Sequence, residues 1–193
     1  MVETSLSLLV RTGTGDAVAW ERFDAIYRPL IREWLIRHQV QPQDADDLTQ
    51  DVLFAVVRGI ERFEHTGRSG SFRAWLRTIT VNRAREFWRS GRLRKPATGG
   101  EGFLQAVEEL ADPASGISGA WDREHDEAVV HRLLDLLAAE FEPQTIRAFR
   151  LVTLEGKSGP QAAAELGISV ASVYAARSRI LARLRTEAGG LLD

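Results

Sequence analysis

The sequence predicts an all-α chain of two helical modules joined by a linker. Apolar residues recur three or four positions apart along almost its whole length, the spacing of one helix face. Alternating or β-branched runs that would make strands are nearly absent. From Gly91 onward the chain turns rich in Gly, Pro, Ala and acid, and a connection of about 30 residues is long for one compact domain.

Taken in order, Thr4 or Ser5 caps a short helix through Val10, which Gly13 and Gly15 break. Asp16 is an N-cap for a long helix to about residue 40, with Trp20, Phe23, Ile26, Tyr27, Leu30, Ile31, Trp34 and Leu35 as its apolar stripe. Pro29 lies inside that stripe and is expected to kink or interrupt it. After the Gln41-Pro42 turn, a second helix spans about 43 to 63, with Leu48, Val52, Leu53, Val56, Val57 and Ile60 inward. A polar loop, 64–70, precedes a third helix from Gly70 or Ser71 to about Arg89. Residues 93–121 read as a flexible acidic linker holding one weak helical patch, 103–110. Four further helices are expected at 122–141, 143–154, 160–166 and 170–186.

Composition bounds the class. The 193 residues are 44% hydrophobic, enough for a core. No Cys is present, which excludes a disulfide scaffold, Cys-based zinc sites and thiol catalysis. No apolar run approaches the ~18 residues that span a bilayer, and the first residues lack the pattern of a secretory signal; a soluble cytoplasmic protein is expected. The net charge of −2 suggests indifference to nucleic acid, but the total is a cancellation. Residues 1–57 carry −4, 58–95 carry +8, 96–142 carry −9 and 143–193 carry +3. The +8 block is an electrostatic footprint for a polyanion, or else a solvated face. Because the signs oppose, the −9 block is able to lie across the +8 block in a silent form, a contact that rising salt loosens.

Three local patterns carry function. Residues 159–174 have the parts of a helix-turn-helix: small Ala163 at the helix crossing, Gly167 at the corner, Ile168 and Val173 as apolar plugs and Ser169 as a cap. Exposed Arg177, Arg179 and Arg183 then alternate with apolar Ala176, Ile180 and Leu184, giving a positive helix that a major groove accepts. An ordinary helical hairpin is the alternative. The third helix carries Arg73, Arg77, Arg83, Arg85 and Arg89 among Phe72, Trp75, Phe87 and Trp88, the mixture used on unpaired bases; core packing is the expectation for Trp75, Leu76 and Ile79. Asp44, Asp47 and Asp51 share a helix face. They read as a metal site, as charges favouring the helix N-terminus, or as an acidic docking surface. No metal or cofactor is expected. The four His are scattered, no phosphate-binding Gly-rich loop appears, and no catalytic residues or enzymatic activity are expected.

The order of these parts resembles the extracytoplasmic-function sigma factors of the bacterial sigma family over about residues 16–185. Asp44-Ala-Asp-Asp-Leu-Thr-Gln-Asp-Val-Leu-Phe54 is similar to the family's segment that docks on core RNA polymerase. Gly70-Ser-Phe-Arg-Ala-Trp-Leu-Arg-Thr-Ile-Thr-Val-Asn82 is similar to its minus-ten segment, and Gly156 through Arg185 to its minus-thirty-five segment. The resemblance implies a sigma region 2 domain at 1–92, the linker at 93–121 and a sigma region 4 domain at 122–193. It implies polymerase binding by Asp44, Asp47, Leu48, Gln50, Asp51 and Phe54. It implies minus-ten DNA binding by Arg68, Ser69, Ser71, Arg77, Asn82, Arg83, Arg85 and Arg89. It implies minus-thirty-five DNA binding by Ser169, Ser172, Tyr174, Arg177, Arg179 and Arg183. The partners so implied are core RNA polymerase, promoter DNA and an anti-sigma factor or other regulator, with a free monomer, no membrane insertion and no chemistry of its own. The alternative is a stand-alone helix-turn-helix regulator that acts without core polymerase.

Overall fold

The computed structural model describes residues 8–63, 70–91 and 101–192. Among these every regular element is helical: α1 (Leu8–Gly13), α2 (Ala17–Arg37), α3 (Pro42–Ile60), α4 (Ser71–Arg89), α5 (Glu101–Ala111), α6 (Gly116–Leu137), α7 (Pro143–Thr153), α8 (Gly159–Leu166) and α9 (Val170–Ala188), with one 3-10 turn at Ala138–Glu140. The all-α class expected from the sequence is what the chain adopts.

Local chemistry sets the boundaries. Asp16 caps α2 by accepting from the Val18 and Ala19 amides at 3.0 and 3.1 Å, which satisfies two donors the helix cannot. Pro29 does not end α2, which continues to Arg37. Proline removes one backbone donor, and burial of Ile26, Tyr27, Leu30 and Ile31 on both sides of it holds the helix together. Pro42 opens α3 at a position where its missing N–H costs nothing. Gly59 lets α3 and α4 approach, since a Cβ there would stand 2.9 Å from the Trp75 ring.

The main core runs from α1 through α7 and takes in the second half of α9. Its centre is an aromatic wall. Phe23 and Tyr27 lie 4.3 Å apart, Phe72 meets both edge-on, and Phe63 and Trp75 extend the group on the α4 side. A smaller cluster of Leu151, Ala162, Ala163 and Val173 holds α7, α8 and α9 together.

The stretch expected to be a flexible linker is built differently. Of residues 93–121, those from 101 onward are described, and most are helical. Phe103, Ala106, Val107 and Leu110 bury one face of α5, and Phe103 packs on Trp88 of α4. Ser115 caps α6 by accepting from the Ser118 amide at 2.9 Å. The expected boundary at 121/122 therefore falls inside α6, beside the buried Trp121. The helical patch expected at 103–110 is α5, whose i, i+3, i+4, i+7 apolar stripe gives it a surface to bury; the helical start of α6 at Gly116 lies before the position expected.

At the α2–α6 contact, His125 is fully buried. Its Nδ1 lies 3.0 Å from Asp126 Oδ1 and its Nε2 3.2 Å from the Tyr27 hydroxyl. One neutral tautomer satisfies both: Nδ1–H donates to the carboxylate and Nε2 accepts from the hydroxyl. Burial pushes the His125 pKa down from its ordinary 6.5, against an upward pull from Asp126. Half-buried His38 is lowered too, again chiefly by burial. A histidine depressed in the folded state contributes stability that is complete above its unfolded pKa and is lost as pH falls below it. The melting temperature is expected to drop between pH 7 and pH 5. Melting curves of the wild type and His125→Asn check this: the variant should show a shallower pH slope, and an identical slope would contradict the assignment.

Candidate nucleic-acid interface

The helix-turn-helix is assembled by caps at both of its turns. The Ser158 hydroxyl accepts from the Gln161 amide while Gln161 Oε1 accepts from the Ser158 amide, a reciprocal capping box. Gly167 supplies the left-handed corner at φ 64°, where a side chain would be strained. Ser169 accepts from the Ser172 amide at 3.0 Å, and the two hydroxyls lie 2.8 Å apart. Ser169 thus caps α9, as its position in the sequence suggested. Val173, Ala176, Ile180 and Leu184 are buried. That leaves Ser172, Tyr174, Arg177 and Arg179 exposed on the outward face of α9.

Two residues of this surface are placed differently from expectation. Arg183 is turned away from the exposed set: its Nε donates to Glu140 Oε2 at 2.9 Å and its Nη1 stands 2.6 Å from Glu187 Oε1. Buried Glu187 draws it inward, together with Arg11 and Arg22 at 3.4 and 3.5 Å. Tyr174 is half exposed but its ring lies over the start of α8, so that a Cβ at Gly159 would meet the phenol oxygen at 2.6 Å. Gly159→Ala is therefore expected to swing the half-exposed Tyr174 ring off α8 at a cost below about 1 kcal/mol. Tyrosine fluorescence and thermal melting check this, and a loss of several kcal/mol would show that the ring is held where it lies.

On α4 the aromatics are committed to the interior. Phe72 and Phe87 are buried, and Trp75 packs against Phe63 and Phe72. They are the apolar face of the helix, and a base-stacking role for them would require taking the core apart. The polar face carries Asn82 and Arg89, both exposed, with Arg83 paired to Glu86 at 2.7 Å and Arg85 Nε donating to Glu108 Oε1 at 2.9 Å. Arg77 is expected to face DNA but is largely covered: its Nη1 donates to Ser118 Oγ at 2.6 Å and Asp122 Oδ1 at 3.0 Å, and its side chain is 11% exposed. The Ser71 hydroxyl is buried without a hydrogen-bond partner among the described residues. Arg68 and Ser69 lie outside the described residues. Arg73 was not among the expected contacts, yet it shares this face, donating to Asp126 at 2.6 Å.

On α3, Asp47, Gln50, Asp51 and Phe54 fall on one stripe, with Asp47 and Phe54 exposed. Gln50 Oε1 accepts from Arg28 Nη1 at 3.0 Å, and Asp24 fixes that guanidinium at 2.7 and 2.8 Å. Two expected members do not belong to the surface. Leu48 is fully buried and Asp44 nearly so, at 3% exposure; both fall on the inward face of α3. Conversely Val57, expected inside, is 43% exposed and extends the stripe from Phe54. Its i+3 spacing from Phe54 was visible, but its apolar side chain read as core.

Among the described residues no helix is long and apolar enough to cross a membrane, and no cluster of His, Asp and Glu is arranged to hold a metal ion. Comparison with known proteins matches residues 19–94 to Sigma-70 region 2 and residues 131–184 to Sigma-70 region 4. The RNA polymerase sigma factor CnrH of Cupriavidus metallidurans is 30% identical over 191 residues, covering 96% of this chain and 93% of its own. The RNA polymerase sigma-E factor of Streptomyces coelicolor is 32% identical over 173 residues, covering 90% and 88%. A solved structure of CnrH in complex with the cytosolic domain of CnrY covers 92% of each chain at 21% identity and a TM-score of 0.38. Two matched regions in this order, with full-length relatives of the same kind, mean that the chain belongs to the RNA polymerase sigma factors of the extracytoplasmic-function group, the factors that direct transcription initiation.

Proposed function

We propose that the chain docks on core RNA polymerase through α3 and reads two promoter elements through α4 and α9, acting by binding and carrying out no chemistry of its own. The observation that carries this reading is the presence in one chain of two separate exposed faces. One is an acidic and aromatic stripe of Asp47, Gln50, Asp51, Phe54 and Val57; the other is a basic face of Arg177 and Arg179 on a helix-turn-helix. A stand-alone regulator needs only the second. In this reading 1–92 holds the polymerase and minus-ten functions and 122–193 the minus-thirty-five function.

At the minus-ten element, Asn82, Arg85 and Arg89 share one side of α4 and Arg83 stands round the helix from them, with Arg77 and Arg73 nearer its start; guanidinium groups suit phosphates and base edges. At the minus-thirty-five element, Ser172, Tyr174, Arg177 and Arg179 are the outward residues after the Ser169 cap, the part of a recognition helix that enters the major groove. The free chain is taken as a cytoplasmic monomer. A masking protein of the anti-sigma type belongs to the same proposal, since the related CnrH has been solved in complex with the cytosolic domain of CnrY. Co-purification of the tagged chain with core polymerase, followed by sequencing of the transcript starts it directs, tests the proposal. Recovery of core enzyme and a shared two-element promoter is expected; a chain recovered without core enzyme would overturn it. A further expectation is that Arg177→Ala with Arg179→Ala lowers initiation about tenfold or more, each base or phosphate contact carrying roughly 1–3 kcal/mol. Run-off transcription checks this, and an undiminished yield would remove α9 from promoter reading.

A further inference from the structure

Acidic residues lie across the basic face of α4, and they come from the segment between the two matched regions. Asp122 and Asp126 on α6 stand i, i+4 apart, so their carboxylates leave the same side of that helix. Arg73 Nη1 donates to both oxygens of Asp126 at 2.6 Å, and its Nε lies 3.5 Å from Asp122. Arg77 is held by Asp122 and by the Ser118 hydroxyl. One helix further on, Arg85 makes a two-point contact with Glu108 of α5. Three arginines of one helix thus meet three carboxylates from α5 and α6.

The Arg85–Glu108 pair is exposed and contributes little to stability, and ion pairs are not the main force holding α5 and α6 in place. Packing of Phe103, Leu110 and Trp121 into the core does that. The carboxylates therefore have another consequence: they set the electrostatic state of the face they cover. A carboxylate pair presents a guanidinium with the same bidentate acceptors as a phosphate. Arginines so engaged must exchange one anion for another before they bind DNA.

We propose that the acidic faces of α5 and α6 act as an internal stand-in for promoter DNA, with Glu108, Asp122 and Asp126 occupying Arg85, Arg77 and Arg73 in the free chain. The inference rests on the reading of α4 as a DNA-binding face. It makes the connecting segment an autoinhibitory element: the free factor binds DNA weakly because its own carboxylates hold the sites.

The test uses the full-length chain and a fluorescein-labelled single-stranded oligonucleotide of mixed sequence, with binding read as anisotropy at low ionic strength. The variant Glu108→Gln, Asp122→Asn, Asp126→Asn removes the three charges with little change of shape. A control, Glu21→Gln, Asp112→Asn, Glu142→Gln, removes three exposed charges away from α4. The first variant is expected to bind about tenfold more tightly than the control, since occupied arginines are freed rather than the net charge merely shifted. Equal affinity in the two would overturn the proposal. Adding Arg77→Ala and Arg85→Ala to the first variant is expected to abolish the gain. A gain that survives would show that the DNA lies elsewhere and would overturn the reading of α4 itself. Circular dichroism verifies helicity in each protein. Asp122→Asn alone, which faces both Arg73 and Arg77, replaces the triple variant if that one loses helicity, with a smaller gain expected and no gain being contrary.

Discussion

Replacing Asp47 and Asp51 together by arginine is expected to abolish initiation directed by this factor while leaving its fold intact. Asp47 is exposed and Asp51 half-buried, one helical turn apart on the outer stripe of α3. Neither lies in the core, which α3 builds from Ala45, Leu48, Val52, Leu53 and Val56 on the opposite side. If α3 docks as proposed, reversing two of its charges replaces attraction by repulsion, and like charges brought together at an interface cost several kcal/mol. Core binding is therefore expected to weaken by about a hundredfold or more, with a melting temperature within a degree or two of the wild type. Co-purification with core polymerase and run-off transcription measure the loss. Unimpaired core binding in the double variant would remove α3 from the docking surface. Phe54→Ala is expected to act in the same direction, because on the proposed docking stripe a 55% exposed aromatic is the side chain that a partner would bury.

The second large effect is on stability. Trp121 is 1% exposed and meets Trp34 edge-on, with ring centroids 5.7 Å apart. Truncating a buried tryptophan to alanine costs about 3–5 kcal/mol, a large share of the stability of a domain this size. Trp121→Ala is thus expected to lower the denaturation midpoint strongly and to loosen α6 from α2, carrying His125 away from Tyr27. Chemical denaturation followed by far-ultraviolet circular dichroism checks it. A change below about 1 kcal/mol would mean that residue 121 behaves as part of an unstructured connection, as surface positions do.

Trp121 also shows where the sequence misleads. Helix periodicity located α2, α3, α4 and the C-terminal helices to within a few residues, because each buries a continuous apolar stripe, and α2 and α9 begin at the recognisable caps Asp16 and Ser169. The corner at Gly167 was legible because only a residue tolerant of φ 64° fits there. The connecting segment was legible in part: its helical patch at 103–110 is α5, but the early start of α6 was hidden because Gly116 and Gly119 sit in its first turn, where glycine costs little. Composition alone cannot say that an acidic face is matched by a basic one across space. The opposite block charges did suggest such a contact, and the pairs Arg73–Asp126, Arg77–Asp122 and Arg85–Glu108 realise it.

The candidate site was legible in kind and less so in membership. A motif names a helix, while the surface is one face of it. Leu48 was carried into the docking set by its neighbours in the motif and belongs to the core; Val57 was assigned to the core and belongs to the surface. Arg183 looked like the next turn of a DNA-reading stripe, and only the fold reveals Glu187 beneath it. Arg73 has the opposite history: it is unexceptional in sequence and becomes central once Asp122 and Asp126 are seen beside it.

Near-neutral net charge fits this arrangement. The chain carries 25 basic and 27 acidic residues, and many of the basic ones on α4 face acids from the chain itself. Such a protein has little long-range attraction for DNA when free, since attraction beyond the screening length of ~10 Å at 0.1 M salt requires an unbalanced field.

A sigma factor recognises promoters as a subunit of polymerase, whereas an independent regulator does so alone. Gel shift of a duplex promoter fragment with the purified chain, with core polymerase, and with both together separates the two most directly. A specific complex is expected only when both proteins are present; a specific complex formed by the chain alone, unchanged by core enzyme, would contradict this.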